Sequence, residues 1–236
     1  MGGRNPGTPR TALVTGGNRG IGFEACRQLA KAGLRVVLTA RDHHAGVAAA
    51  NRLRGEDQPV SFEQLDVTEP RSVEACATRL AEAGTRIDVL VNNAGIYLTV
   101  PLLQAEEGPL IESLRVNLLG AWRTSRAFVP GMRARGYGRV VNLSTGYAHL
   151  GSQAPQAGVY GLTKAALNAL TRQLAAEAGP SVKVNAMDPG WVATRMGGSD
   201  APTSPLEATD TLVWLATLPD DGPTDGFFHR RQQLPW

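Results

Sequence analysis

Short runs of β-branched and aliphatic residues recur along the chain, separated by longer stretches in which apolar positions return every three or four residues. The first pattern predicts buried strands and the second amphipathic helices. Strands are expected over 11–15 (TALVT), 35–39 (RVVLT), 60–65 (VSFEQL), 88–92 (DVLVN), 139–143 (RVVNL) and 182–187 (VKVNAM). Helices are expected over 22–33, around 45–54, over 70–84, in a long region near 109–135, over 158–178 and over 204–218. Two helix starts carry local signals. Pro70 falls at an acceptable first-turn position, and Ser204, Pro205 and Glu207 form a capping-box pattern with proline at the first helical residue. The stretch GFFH (226–229) predicts a last, edge strand.

Strands alternating with helices, the strands apolar on both faces, imply a parallel sheet covered on both sides. The expected class is therefore α/β: a single-domain Rossmann fold, a doubly wound parallel sheet of about seven strands with helices on both faces. Residues 1–9 are rich in glycine and proline and read as a flexible arm, leaving 10–236 as one domain. In such sheets ligands bind beyond the carboxyl ends of the strands. The positions to inspect are then 15–22, 39–42, 66, 92–95, 144–146 and 188–194.

Two of these places, and one helix, carry chemistry. The first strand runs into TGGNRGIG (15–22), where Gly16, Gly20 and Gly22 permit a tight turn and close approach of a pyrophosphate. The helix that follows offers amide donors and a favourable dipole to an anion. No Gly-Lys-Ser/Thr closes the loop, so it is not a P-loop. Arg41 follows the second strand, where dinucleotide enzymes distinguish a ribose hydroxyl from a 2′-phosphate; Ala40 takes the strand-end place of a carboxylate, and Asp42 comes just after. Guanidinium forks suit phosphate oxygens, and Arg19 in the glycine loop reaches for the same group. The alternative for both is a solvated arginine. Third, Tyr160 and Lys164 stand four residues apart on a predicted helix and so share one face.

Composition changes this picture little. Of 236 residues, 42% are hydrophobic and 19% charged, as in ordinary globular proteins. The net charge of +3 is spread over interleaved acidic and basic residues with no polybasic run, so no nucleic-acid partner is expected. Lysine occurs only at 31, 164 and 183, which sets Lys164 apart. Cys26 and Cys76 show neither metal-ligand nor disulfide spacing and read as core fillers in a reducing compartment. The histidines at 43, 44, 149 and 229 lack ligand spacing, so no metal is expected; His43 and His44 read as a solvated loop or helix start, and His149 falls near the anticipated cleft. With no run of membrane-spanning length and no signal-like apolar stretch behind the polar start, a soluble cytoplasmic protein is expected.

Taken in order, TGGNRGIG, NNAG (92–95), Asn117 in RVNLLG, the NLST strand end, YGLTK and DPGWVAT resemble the short-chain dehydrogenase/reductase family over nearly the whole chain. WVATRMGG and WLATLPDDGPTDGFF are most similar to its carbonyl-reductase-like branch. The long insertion that precedes the active-site tyrosine in some monomeric members is missing, since only 146–159 separates the two motifs. The resemblance implies an NADP(H)-dependent oxidoreductase reducing a ketone or aldehyde to an alcohol, or the reverse. NAD(H) use, or a catalytically idle NADP-sensing protein, are the alternatives.

By this resemblance Tyr160 exchanges the proton with the substrate oxygen. Free tyrosine, with a pKa near ~10, is a poor acid–base at neutral pH, and the Lys164 ammonium is expected to pull that value down. Lys164 also binds the nicotinamide ribose, and Asn117 holds a water linking it to solvent, a kink or capping role being the alternative. The family usually ends this strand with two serines, the second of them catalytic. Here the pair is Ser144–Thr145, so register gives Thr145 the hydrogen-bonding role and leaves Ser144 a structural one.

The cofactor set implied is Gly16, Asn18, Arg19, Gly20, Ile21, Gly22, Arg41, Asp66, Val67, Asn93, Ala94, Gly95, Tyr160, Lys164, Pro189, Gly190, Val192 and Thr194. In it Asp66 receives the adenine amino group, Val192 meets the carboxamide and Thr194 the phosphate, while Asn92 is expected to brace the sheet. Leu150, Trp191 and Met196 line a substrate cleft or pack in the core. The partners expected are a small carbonyl or alcohol substrate and a second copy of the chain, as homodimer or homotetramer through the long helix and the Tyr160 helix.

Overall fold

The computed structural model describes residues 9–149 and 157–236. Its strands are β1 (Thr11–Val14), β2 (Arg35–Ala40), β3 (Val60–Gln64), β4 (Val89–Asn92), β5 (Gly138–Leu143), β6 (Val182–Met187), β7 (Gly226–His229) and β8 (Gln232–Leu234). They form one sheet in the order β3-β2-β1-β4-β5-β6-β7-β8. β1, β4, β5 and β6 are buried along their whole lengths, as apolar strands covered on both faces must be. β1 pairs in parallel with β2 on one side and β4 on the other, Leu13 lying opposite Val37 and Leu90. The winding direction reverses between those two neighbours, which opens a crevice at the carboxyl ends of β1 and β4.

The helices are α1 (Gly20–Lys31), α2 (His43–Arg54), α3 (Pro70–Glu82), α4 (Glu107–Leu114), α5 (Gly120–Ala134), α6 (Gly158–Ala178) and α7 (Pro205–Ala216). On one face Val14, Leu38 and Val91 pack with Leu29, Leu53, Leu212 and Leu215. On the other, Leu13, Val37, Leu90 and Val184 pack with Val73, Leu80, Phe128 and Met132. Each fully buried leucine contributes about 2 kcal/mol, so the two layers together clamp the sheet. Cys26 and Cys76 lie in these layers as expected, and burial pushes both thiols up, Cys76 to about 12. The Ser204–Glu207 capping box is present with both of its hydrogen bonds. His43 and His44 open α2 on its exposed side. No described helix is long and apolar enough to cross a membrane.

Two expectations need correction. The sheet has eight strands, and β7 is interior because β8 pairs antiparallel outside it, Phe228 facing Gln233. The reversal rests on Arg230 and Arg231, both left-handed, with φ of 47° and 60°. A two-residue hairpin of this kind normally announces itself with Asn-Gly or Asp-Gly, and two arginines give no such signal. The long helix near 109–135 is interrupted as well: residues Arg115–Leu119 form a π-helical turn between α4 and α5. π-Turns inside helices mark functional sites often enough to be informative, and this one carries Asn117.

Candidate active site

The chain leaves β1 at Thr15, whose hydroxyl accepts hydrogen bonds from Asn93 N and Ala94 N, each at 3.0 Å. The Asn93 amide returns the contact, donating to the carbonyls of Thr15 at 2.8 Å and Gly16 at 3.1 Å. The glycine turn and the NNAG segment are thus stitched into one floor. A Cβ on Gly22 would stand 2.4 Å from both Asn93 Nδ2 and the Gly16 carbonyl oxygen, so no side chain fits there. α1 begins without a side-chain cap and without an acidic residue in its first turn. Its N-terminus is therefore available to an external anion, and a pyrophosphate fits this cradle. Thr194 comes from far along the chain to the same turn, its methyl 3.4 Å from where a Gly20 Cβ would be. Asn18 is half-buried beside the turn, and Ile21 packs onto the core.

Ala40 is buried at the end of β2, and the Arg41 and Arg19 side chains are exposed. Asp42 is committed elsewhere: its carboxylate caps α2, accepting from Ala45 N at 2.9 Å. Asp66 Oδ1 accepts from Thr68 N at 2.9 Å and Thr68 Oγ1 at 2.7 Å, which orients the carboxylate at the β3 end. Val67 is buried; its methyl would lie 2.8 Å from a Cβ at Gly120, and its carbonyl accepts from Arg123. Asn92 braces the sheet as expected, donating to Asn142 Oδ1 at 2.8 Å and accepting from Thr124 Oγ1 at 2.7 Å.

The remaining groups converge where β5 and β6 end. Lys164 is buried in α6 and donates from Nζ to the Leu143 carbonyl at 2.7 Å. Its Nζ is 5.7 Å from the centroid of the Tyr160 ring. Asn117 brackets Ile96, accepting from its N–H at 2.8 Å and donating to its carbonyl at 3.0 Å, and it also donates to Thr163 Oγ1. A Cβ on Gly95 would lie 3.3 Å from Asn117 Oδ1 and 3.6 Å from Lys164 Nζ, so these three residues meet. Ser144 continues the sheet through its N–H to the Met187 carbonyl, and its buried hydroxyl has no hydrogen-bond partner among the described residues. Thr145 is half-exposed and extended, and among the described residues its hydroxyl accepts a long 3.4 Å contact from Tyr147 N.

The electrostatics differ from expectation. Burial pushes the Tyr160 phenol well above its ordinary value, with Asp188, Tyr97 and Tyr147 adding to the rise. Burial outweighs the pull expected of Lys164, and it lowers Lys164 itself to about 8. A charge removed from water is destabilised in both groups, and neither the phenolate nor the ammonium gains enough from the other to offset it.

Asp188 accepts from Gly190 N at 2.9 Å and so shapes the segment that carries Pro189, Gly190 and Val192. Val192 bridges to Thr203. Trp191 and Met196 are 58% and 49% exposed, so the core alternative for them is set aside. Leu150 lies outside the described residues, and His149 is half-buried after the turn that follows Thr145. Tyr97 and Tyr147 join the site without having been singled out, and Thr15 and Asp188 were marked only as strand ends. Nothing in the local pattern distinguishes Tyr97 from any loop tyrosine.

Comparison with known proteins agrees with this arrangement. The family profile described as short chain dehydrogenase matches residues 10–204. A (+)-neomenthol dehydrogenase of Arabidopsis thaliana is 33% identical, the match covering 96% of this chain and 98% of that protein. Carbonyl reductase [NADPH] 1 of Sus scrofa is also 33% identical, covering 96% and 94%. Among solved structures, an NADPH-bound carbonyl reductase from chicken fatty liver superposes with a TM-score of 0.84 at 27% identity, covering 97% of this chain and 99% of that one. The chain belongs to the short-chain dehydrogenase/reductase family and is an NAD(P)-dependent oxidoreductase acting on carbonyl and alcohol groups.

Proposed function

We propose that this enzyme is an NADPH-dependent carbonyl reductase, running in reverse as an alcohol dehydrogenase, with Tyr160 as its proton donor and acceptor. One observation supports the reading above others: Lys164 Nζ, tied to the Leu143 carbonyl and 5.7 Å from the Tyr160 ring, stands at the strand end that carries the half-exposed hydroxyl of Thr145. Bound at this end of the sheet, a nicotinamide would supply the hydride to the carbonyl carbon. Tyr160 Oη gives its proton to the carbonyl oxygen, and Thr145 Oγ1 donates a hydrogen bond to the same oxygen as negative charge develops there. Lys164, fixed to the Leu143 carbonyl, has two further N–H donors for a ribose hydroxyl. Asn117, in bracketing Ile96, keeps Gly95 beside Lys164, a Cβ there lying 3.6 Å from Nζ.

The preference for NADPH rests on Asp42 and Arg41. The Asp42 carboxylate is turned toward its own helix by the cap through Oδ1, whereas the exposed Arg41 and Arg19 guanidinium groups suit a 2′-phosphate. The two NADPH-named relatives favour the same choice. We take residues 10–236 as one domain carrying both cofactor and substrate sites, working in the cytoplasm as a homodimer or homotetramer. Exposed Trp122 on α5 and Leu162 on α6 support pairing through those helices. The test is oxidation of NADPH, followed by absorbance, across a panel of ketones and aldehydes with NADH in parallel. Turnover with NADPH is expected; turnover with NADH alone would reassign the cofactor, and tight NADPH binding without any turnover would mean an idle binding protein. A monomer by light scattering at micromolar concentration would count against the oligomer.

A further inference from the structure

We propose that Tyr97 positions the catalytic phenol and forms the apolar wall of the substrate mouth, selecting uncharged aryl ketones. The inference rests on the carbonyl-reductase reading above and extends it to the kind of substrate.

The backbone around Tyr97 is held on both sides. Asn117 grips Ile96 by both its N–H and its carbonyl. Beyond Tyr97, the Leu98 carbonyl accepts from Tyr160 N at 3.1 Å and the Val100 carbonyl from Val159 N at 3.1 Å. The segment is therefore docked on the first turn of α6, and Gly158 makes room for it, since a Cβ there would fall 2.1 Å from the Val100 carbonyl oxygen. So restrained, Tyr97 sets its ring edge-on to Tyr160, centroids 4.7 Å apart and planes at 79°. That is the favoured geometry for an aromatic pair, and it limits the rotation of the Tyr160 ring. A ring fixed in this way delivers its hydroxyl proton to one place.

The remainder of Tyr97 is open, with 41% of the residue exposed, and Tyr147, exposed to the same degree, acts electrostatically on both Tyr97 and Tyr160. A large exposed aromatic surface beside a reacting group is a contact surface for an apolar ligand. The charges that face Tyr160 sharpen the choice. Lys164 is buried and engaged with Leu143, while the Asp188 carboxylate lies beside the turn between Thr145 and Tyr147, its Oδ2 3.0 Å from where a Gly146 Cβ would stand. An anionic keto acid approaching this mouth meets the Asp188 carboxylate, whose Oδ2 has only the His229 ring nitrogen 3.6 Å away among the described ion pairs, and a neutral ring meets two tyrosines.

Two measurements test this on Tyr97→Ala and Tyr97→Phe. The first is tyrosinate absorbance against pH in the protein alone, with Tyr160→Phe subtracted to isolate Tyr160. Removing the Tyr97 ring admits water to the phenol, so Tyr160 should ionise at lower pH in Tyr97→Ala and close to its unaltered value in Tyr97→Phe. The second compares kcat/KM for an aryl ketone, a small aliphatic ketone and a keto acid. Tyr97→Ala should lose about tenfold on the aryl ketone and much less on the aliphatic one, and Tyr97→Phe should restore the preference. Unchanged Tyr160 ionisation together with an unchanged aryl preference in Tyr97→Ala overturns the proposal, as does a wild-type preference for the keto acid. Absence of any ketone turnover by the unaltered enzyme would overturn the functional reading instead. The absorbance titration needs neither cofactor nor substrate and decides the Tyr97–Tyr160 contact by itself.

Discussion

Lys164 reaches the carbonyl oxygen of Leu143 at 2.7 Å, so the buried ammonium is tied to the end of β5 while the catalytic helix α6 supplies it. Burial lowers its pKa from 10.5 to about 8. Below about pH 8 the lysine is charged in both the folded and unfolded chain, and the desolvation cost is carried in full. Between about 8 and 10.5 the folded protein releases the proton while the unfolded chain keeps it, so this residue's contribution to stability rises with pH. Thermal unfolding at pH 7.5 and 9.5 should show that increment in the wild type and lose it in Lys164→Met. An equal increment in both would detach it from Lys164.

Tyr160 works in the opposite sense. Its raised pKa keeps the phenol protonated across the neutral range, the form needed to donate to a carbonyl. Reduction should therefore stay nearly level from pH 6 to 8, while alcohol oxidation, which needs the phenolate, should climb as pH increases beyond that range. Initial rates of reduction over that span, and of oxidation continued to about pH 10, check this; oxidation fastest near pH 6 would contradict it.

Thr145→Val keeps the shape at the end of β5 and removes the half-exposed hydroxyl. It should lower kcat on the order of 10²-fold with NADPH affinity little changed. Thr145→Ser should retain most activity. Ser144→Ala deletes a buried hydroxyl with no partner among the described residues, so it should be mild in both activity and stability. The reverse pattern in steady-state kinetics would move the catalytic hydroxyl to Ser144.

Arg41→Asp should weaken NADPH binding by tenfold or more, about 1.4 kcal/mol, and narrow or reverse the gap to NADH. It removes a charge-assisted phosphate contact and adds repulsion. Asp42→Ala is the control: it should cost about 1 kcal/mol of stability through the lost α2 cap, with the NADPH-to-NADH ratio of dissociation constants little altered. Unchanged NADPH affinity in Arg41→Asp would assign the phosphate to Arg19.

Gly22→Ala forces a Cβ to within 2.4 Å of the Gly16 carbonyl oxygen, a backbone atom that cannot move aside cheaply. Melting temperature should fall, at a cost of about 1–3 kcal/mol, and NADPH binding measured by fluorescence should be lost or severely weakened. Retention of both would mean that the turn is looser than its contacts imply.

Much of this was legible from local pattern. The limits of α6 and β6, the capping box at Ser204 and the bracing role of Asn92 were read correctly, because each depends on neighbours in sequence or on a strand end whose environment the parallel sheet dictates. The glycine turn was equally plain: steric demands on a tight turn fall on the residues that form it. β8 was missed because its hairpin is closed by Arg230 and Arg231, whose left-handed conformation no propensity announces. The π-turn at Asn117 was missed because an apolar period of three to four does not distinguish an α-turn from one slightly wider.

The amino-acid sequence alone determined the order of elements, the parallel sheet they build and the set of motifs that meet at its carboxyl edge, since hydrophobic periodicity, caps and turn residues act over a few positions. Tertiary structure decided the electrostatic and steric state of those motifs. Asp42 became a helix cap, Tyr97 came to rest on Tyr160, and Lys164 turned to Leu143 with its own pKa lowered, leaving that of Tyr160 raised. Desolvation and ring packing depend on which distant segments exclude water from a group, and that exclusion exists only once the chain has closed around it.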